Sequence, residues 1–340
     1  MVHRALRRLH LRAATTPARN PLISVFTHTL TAAVMAVLIG AGPATSAPFV
    51  YVSNEGSGTI GVIDTALDQV VATIATGGKP RGAAVSPDGG TLYVSDQPGA
   101  RLLVIDLASR REVSSIALGT SPEGVGISTD GRWVSVASEQ TNTVSLIDTA
   151  RGAVAFQVKV EGRNPEHAVF TPDGRLLFVS AEDDETIDVI DLARRAVVSR
   201  VRVGDRPRGI GFTPDGRRAY VGVENASVVA VIDVPNLTLL RTIKAGVRAN
   251  GIAVRPDGER VYASNGADGT VSVIDTASDT VVATIATGRR PWNMAITQDG
   301  RKLYVANGRA NTVSVIDTAT NTKRSDIAVG ETPWGVSGAR

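Results

Sequence analysis

From about residue 49 onward the chain is a succession of short apolar runs broken by tight, glycine- and aspartate-bearing turns. Gly251-Ile252-Ala253-Val254 leads into Pro256-Asp257-Gly258, and Val261-Tyr262-Ala263-Ser264 follows directly. After a loop comes Thr270-Val271-Ser272-Val273-Ile274-Asp275, and after a second turn Val281-Val282-Ala283-Thr284-Ile285. Runs this short, rich in β-branched residues and bounded by turn formers, predict four strands rather than helix. Proline presets the first angle of the hairpin turn and glycine takes its left-handed position. The Asp275-Thr276 pair predicts an Asx turn, in which the carboxylate accepts nearby backbone N–H groups.

This unit repeats. Its Ile-Asp strand end recurs at Asp64, Asp106, Asp148, Asp191, Asp233, Asp275 and Asp317, at intervals of 42, 42, 43, 42, 42 and 42 residues. A Pro-Asp-Gly-like turn keeps the same step at Asp88, Asp130, Asp173, Asp215, Asp257 and Asp299. A Pro-x-Gly-like element does so at Pro80, Pro122, Pro165, Pro207, Pro291 and Pro333, with Ala249 in place of proline in the remaining copy. Four short strands per roughly 40–45 residues is the period of a propeller blade. The unit is too long for a β-helix coil and lacks the helical period of an α-solenoid. The expected fold is all-β: residues 48–340 as a single seven-bladed β-propeller of four-stranded antiparallel blades. The first blade begins at its second strand, Phe49-Val50-Tyr51-Val52-Ser53, and its missing inner strand stands at the far end, Trp334-Gly335-Val336-Ser337. Residues 333–338 are therefore expected to pair with 49–53, so that both chain ends share one blade and no sheet edge is left open at the seam.

Tyr51-Val52-Ser53-Asn54, Tyr304-Val305-Ala306-Asn307 and Thr312-Val313-Ser314-Val315-Ile316-Asp317-Thr318 resemble the YVTN β-propeller repeat family. The resemblance spans about residues 49–338. In overall layout, a leader followed by seven repeats and little else, the chain is similar to the secreted group associated with PQQ-dependent alcohol catabolism, found alongside quinoprotein dehydrogenases and transport components. That resemblance implies a periplasmic accessory or binding role and brings no catalytic residues with it.

The opening segment differs from the rest. Residues 1–47 hold Arg4, Arg7, Arg8, Arg12 and Arg19 with no acid, then the apolar run Leu30 to Ile39, then small residues ending Ala44-Thr45-Ser46-Ala47. A basic, an apolar and a small-residue region in this order predict a secretory signal cleaved after Ser46 or Ala47, and hence a periplasmic or secreted protein. The apolar run is too short for the ~20 residues of a spanning helix. The leader's five arginines turn the whole-chain net charge of +3 into −2 for the remainder. Charge thus gives no support to a nucleic-acid partner. The absence of cysteine excludes disulfides, thiolate metal sites, covalent haem and a lipid-anchored cysteine. Outside the leader His167 is the sole histidine, so neither a multi-histidine metal centre nor a second histidine mechanism can be built.

Strand order puts the Pro-Asp-Gly and Ile-Asp-Thr turns on one face, here the bottom, and the loops after Tyr-Val-Ser-Asn and before Pro-x-Gly on the other, the top. Bottom turns are nearly identical from copy to copy. Top loops vary, and variation on a shared scaffold is where individual chemistry is acquired. The residue after each top proline should face the central opening: Arg81, Glu123, Glu166, Arg208, Asn250, Trp292 and Trp334, with His167 beside Glu166 where other copies mostly have glycine. The neighbouring loops supply Asp96, Glu139, Glu182, Asp183, Asp184, Glu185 and Glu224, so that acids concentrate on the third and fourth blades, and arginines (Arg206, Arg208, Arg248, Arg289, Arg290) on the fifth to seventh. Trp292 and Trp334, on adjacent blades, are expected to form an aromatic wall. Such a mouth suits a small polar or zwitterionic metabolite, or a protein partner such as a quinoprotein dehydrogenase or transport system. The competing reading has the charges as solvated rim residues and the tryptophans as an axial plug. No cofactor is expected: the tryptophan-docking repeats of PQQ enzymes are missing, and no loop has the spaced oxygen ligands of a calcium motif. The enzyme alternative, a lactonase or lyase, would have to use Glu166 and His167 as an acid–base pair.

Overall fold

The computed structural model describes residues 49–338; the leader and its cleavage point lie outside the described residues. Each repeat folds as its apolar pattern predicts, giving seven four-stranded antiparallel sheets. Numbering the strands along the chain, the blades from second to seventh are β4–β7 (from Pro80), β8–β11 (Pro122), β12–β15 (Pro165), β16–β19 (Pro207), β20–β23 (Ala249) and β24–β27 (Pro291). The first blade is composite. Strand β28 (Pro333–Gly338) pairs antiparallel with β1 (Phe49–Asn54), bringing Val52 opposite Val336 and Tyr51 opposite Ser337, and β2 (Thr59–Asp64) and β3 (Gln69–Ala75) complete it. The two ends of the described chain thus close the ring as expected. Among the described residues no helix is long and apolar enough to cross a membrane.

The core is distributed. Each of seven apolar clusters lies between two neighbouring blades, as with Val85, Leu92 and Val94 of blade 2 against Tyr51, Ile60 and Val62 of blade 1. Middle strands are buried on both faces, so they read as unbroken apolar runs rather than alternating ones. Outermost strands are mostly exposed apart from one buried residue near the end, with half-buried positions alternating in β11, β15 and β23. The seam between blades 7 and 1 is packed like the others, by Tyr304, Val313 and Val315 against Val50, Val52 and Ile63.

The bottom face obeys local rules. All seven Ile-Asp aspartates accept backbone N–H groups two or three residues on: Asp64 from Ala66 and Leu67, Asp317 from Ala319 and Thr320, and so around the ring. The second turn is equally regular. Asp130 accepts from the Arg132 N–H and the Ser128 hydroxyl, while Gly131 takes φ +71°.

Candidate functional site: the top-face mouth

The mouth owes its geometry to a bulge repeated in every blade. Pro165 pairs with Ala181 and the next paired residue, Ala168, with Val179, so that Glu166 and His167 together stand opposite Ser180. The same two-against-one step follows Pro80, Pro122, Pro207, Ala249, Pro291 and Pro333. A bulge turns side chains away from the regular pleat. It also unpairs a backbone N–H, and the serine of the Tyr-Val-Ser-Asn strand accepts it: Gly82 N to Ser95 at 2.9 Å, Gly251 N to Ser264 at 2.8 Å, His167 N to Ser180 at 3.0 Å. Ser95 and Ser264 then donate to the carbonyls of Glu123 and Trp292 in the following blade. The recurrent serine is therefore an interblade clip. The Pro-x-Gly glycine answers to the same crowding, since a Cβ on Gly251 would lie 2.4 Å from the Trp292 carbonyl oxygen.

Most of the expected mouth residues are buried: Glu123, Glu166, Arg208, Asn250 and Trp334 are each under one-tenth exposed. What buries them is mutual pairing. Arg81 grips Glu123 with one nitrogen at 2.6 and 2.5 Å from its two oxygens and reaches Glu55 at 3.2 Å. Burial pushes the Glu123 carboxyl up to about 7 against the lowering pull of Arg81. Arg208 lies between Glu166 and Glu182 and is ion-paired to both, with Glu224 at 3.5 Å. Glu139, Glu166 and Glu182 each bring an oxygen within 4.8 Å of the others. This is the one grouping among the described residues suited to a metal, and the Arg208 guanidinium already supplies the positive charge there. Asp184 and Glu185, by contrast, are rim residues paired to Arg163 and Arg202.

Trp334 takes contacts from both a distant and an adjacent blade. The His167 ring of blade 4 stacks on Trp334 of blade 1, with centroids 5.7 Å apart and planes 10° from parallel. Asn293 of blade 7 donates to the Trp334 carbonyl at 3.2 Å. His167 and Asn293 occupy the glycine position of their Pro-x-Gly elements, the two exceptions to glycine there. Burial and the nearby Arg208 charge hold the imidazole neutral, lowering its pKa to about 3. Its Nδ1 is 3.9 Å from Glu166, beyond hydrogen-bonding distance. The two tryptophans take different partners: Trp334 the His167 ring, Trp292 the Arg290 guanidinium at 5.6 Å. They do not stack on one another as a shared wall.

The sequence singles out three top-loop arginines and Glu224 but not their convergence. Arg206, Arg248 and Arg290 occupy the same loop position in blades 5, 6 and 7, and all converge on Glu224, at 3.0, 3.8 and 3.0 Å. The signal was present in their 42-residue spacing, but their target could not be read from spacing alone. The loop position is left-handed in six blades, holding Ser121, Asn164 and Thr332 elsewhere, so the arginines are particular while the backbone is not. The residue opening each neighbouring top loop is Glu55, Gln97, Glu139, Glu182 or Glu224 in blades 1 to 5, but Gly266 and Gly308 in blades 6 and 7. Both glycines make room: a Cβ would lie 3.3 Å from Arg290 Nη1 at Gly266 and 2.7 Å from the Trp292 ring at Gly308. The mouth is thereby split into an acidic arc over blades 3 and 4 and a cationic one over blades 5 to 7.

A closed ring of seven four-stranded antiparallel blades defines a seven-bladed β-propeller. The chain belongs to the YNCE-like beta-propeller family, which it matches over residues 38–130 and 125–339. No curated protein matches it. Among solved structures it is similar to hydrazine synthase of Kuenenia stuttgartiensis, at 24% identity over 79% of this chain and 92% of that one, with a TM-score of 0.73. A functionally unknown protein from Desulfotomaculum acetoxidans shares 18% identity over 86% of this chain and 99% of that one, TM-score 0.76. Dihydro-heme d1 dehydrogenase NirN, in complex with DHE, shares 17% over 85% and 74%, TM-score 0.65. At such identities the likeness is one of fold.

Proposed function

We propose that this chain is an exported binding or scaffold protein, an accessory to PQQ-dependent alcohol catabolism, which holds a partner protein or small polar metabolite at its top-face mouth. The observation that carries the reading is the division between faces. All seven Ile-Asp turns of the bottom face repeat one hydrogen-bonded solution, whereas the top loops carry different residues from blade to blade, arranged as separate acidic and cationic arcs. Scaffold needs explain the first and leave the second unexplained. The leader's order of basic, apolar and small residues supports export. The 3.9 Å gap between Glu166 and His167, and the engagement of Glu166 by Arg208, weigh against the acid–base pair that a lactonase or lyase would need. The test is retention of a quinoprotein dehydrogenase or transport component from periplasmic extract on the immobilised chain. Reversing the exposed top charges Arg289 and Arg309 should abolish retention, while reversing bottom-face Glu259 and Arg301 should not. Normal growth on alcohols after deletion of the gene would refute the alcohol-catabolism assignment.

A further inference from the structure

The cationic arc contains more hydrogen-bond donors than it satisfies. Asn250, 2% exposed, has its Nδ2 without a hydrogen-bond partner, and the same holds for Trp292 Nε1. These residues occupy the same bulge position in the successive blades 6 and 7. An unmet buried donor is costly, so two in neighbouring blades call for an acceptor.

Charge points the same way. Arg248 and Arg290 have a single carboxylate between them among the described residues, Glu224, which is also shared with Arg206 and Arg208. Glycine at 266 and 308 removes the acid that blades 1, 3, 4 and 5 place there. The Arg248 side chain is 50% exposed and that of Arg290 15%, so the arc can be approached from solvent. Its donors are planar N–H groups, and the ligand they already share is a carboxylate. A guanidinium set in this arrangement suits a second planar carboxylate, with the Trp292 ring offering an apolar flank. A dianion such as phosphate would face the acids of blades 3 and 4 across the mouth.

We propose that the mouth over blades 5 to 7 is a binding site for a small organic carboxylate, held by Arg248 and Arg290 and by the side-chain donors of Asn250 and Trp292. The assignment rests on the top face being the working surface and names the ligand class for it.

Titration calorimetry and tryptophan fluorescence on the full chain, with acetate and benzoate as carboxylate probes and inorganic phosphate as the competing oxyanion at fixed ionic strength, test it. Saturable binding of at least one carboxylate is expected, weakened at least about tenfold by the Arg248→Gln/Arg290→Gln pair. Asn250→Asp, which exchanges the donor for an acceptor with little change of shape, should weaken it as well, and Trp292→Phe keeps the ring while deleting its donor. Glu224→Gln should strengthen binding, because it removes the internal competitor; a purely structural role for the arginines would not produce that gain. Absence of saturable carboxylate binding, binding indifferent to the arginine pair, or tighter binding of phosphate would overturn the proposal. If a partner protein is still retained through Arg289 and Arg309 while carboxylates do not bind, this inference falls and the binding reading stands. Retention indifferent to those two charges would sink the broader reading instead.

Discussion

The two faces of this disc are built from the same seven repeats and solve opposite problems. At the bottom, the repeated turn carboxylates serve their own turn: Asp88, Asp130, Asp215 and Asp299 accept from a serine or threonine two residues back and a backbone N–H two residues on, and these bonds hold their pKa values down. Asp68 and Asp279 are the exceptions, bound from the neighbouring blade by Lys302 and Tyr304 and by Arg218 and Tyr220. At the top, carboxylates leave their own blade. Glu123 is bound by Arg81 of blade 2, and Glu224 of blade 5 by arginines preceding blades 6 and 7. Local satisfaction makes the repeated bottom turns uniform from blade to blade. Long-range satisfaction makes the top individual, because each pair needs a particular residue one or two blades away.

The sharpest disturbance of both faces is to open the ring. Deleting residues 333–340 removes β28, exposes the edge of β1 and strips Trp334 from the axial stack. A fall in melting temperature of tens of degrees, or loss of a cooperative transition, is expected by circular dichroism; an unchanged melt would refute closure.

Glycines separate the faces next. Gly251→Ala on the top side puts a methyl group 2.4 Å from a neighbouring carbonyl and should cost about 2–3 kcal/mol in denaturant unfolding. Gly152→Ala in a bottom turn meets nothing within 4 Å but must hold φ +60°, for about 1 kcal/mol. Equal costs would contradict the distinction between a glycine needed for space and one needed for conformation.

Polar substitutions divide similarly. Asp64→Ala orphans two backbone donors and should lower stability by about 1 kcal/mol. Exposed Arg289→Ala on the top rim should stay within about 0.5 kcal/mol while altering what the face binds.

The smallest effect is on pH dependence. Glu123 has a folded pKa of about 7 against an ordinary 4.5, so between those values the folded state holds a proton that the unfolded chain has lost. Its contribution to stability is full below about 4.5 and declines as pH rises to about 7. The bottom aspartates run the other way, their lowered pKa values giving stability that is lost in acid. Melting curves for Glu123→Gln should therefore gain on the wild type as pH rises from 5 to 8. A parallel offset at all pH values would show that the carboxyl is ionised throughout.

The face-by-face contrast also explains how much could be read in advance. The bottom turns were legible because Pro-Asp-Gly and Ile-Asp-Thr carry their hydrogen bonds within five residues. The mouth positions were legible as a column of seven residues, Arg81 to Trp334, since one register recurs. Their burial was not, because a charged residue on a strand reads as exposed until its counter-charge is located on another blade. The His167–Trp334 stack joins residues on blades 4 and 1, and no local pattern reports a contact across an axis.

The amino-acid sequence by itself settled what short-range physics controls: the strand lengths, both bottom turns, the number of blades and the strand shared by the two chain ends. Those follow from periodicity and from turn chemistry acting over a few residues. Only the tertiary structure decided that a bulge stands at the same point of every blade, that His167 stacks on Trp334, and that Arg206, Arg248 and Arg290 meet at a single carboxylate. Ring closure brings together groups far apart in sequence, and the energies of burial and ion pairing depend on that distance in space.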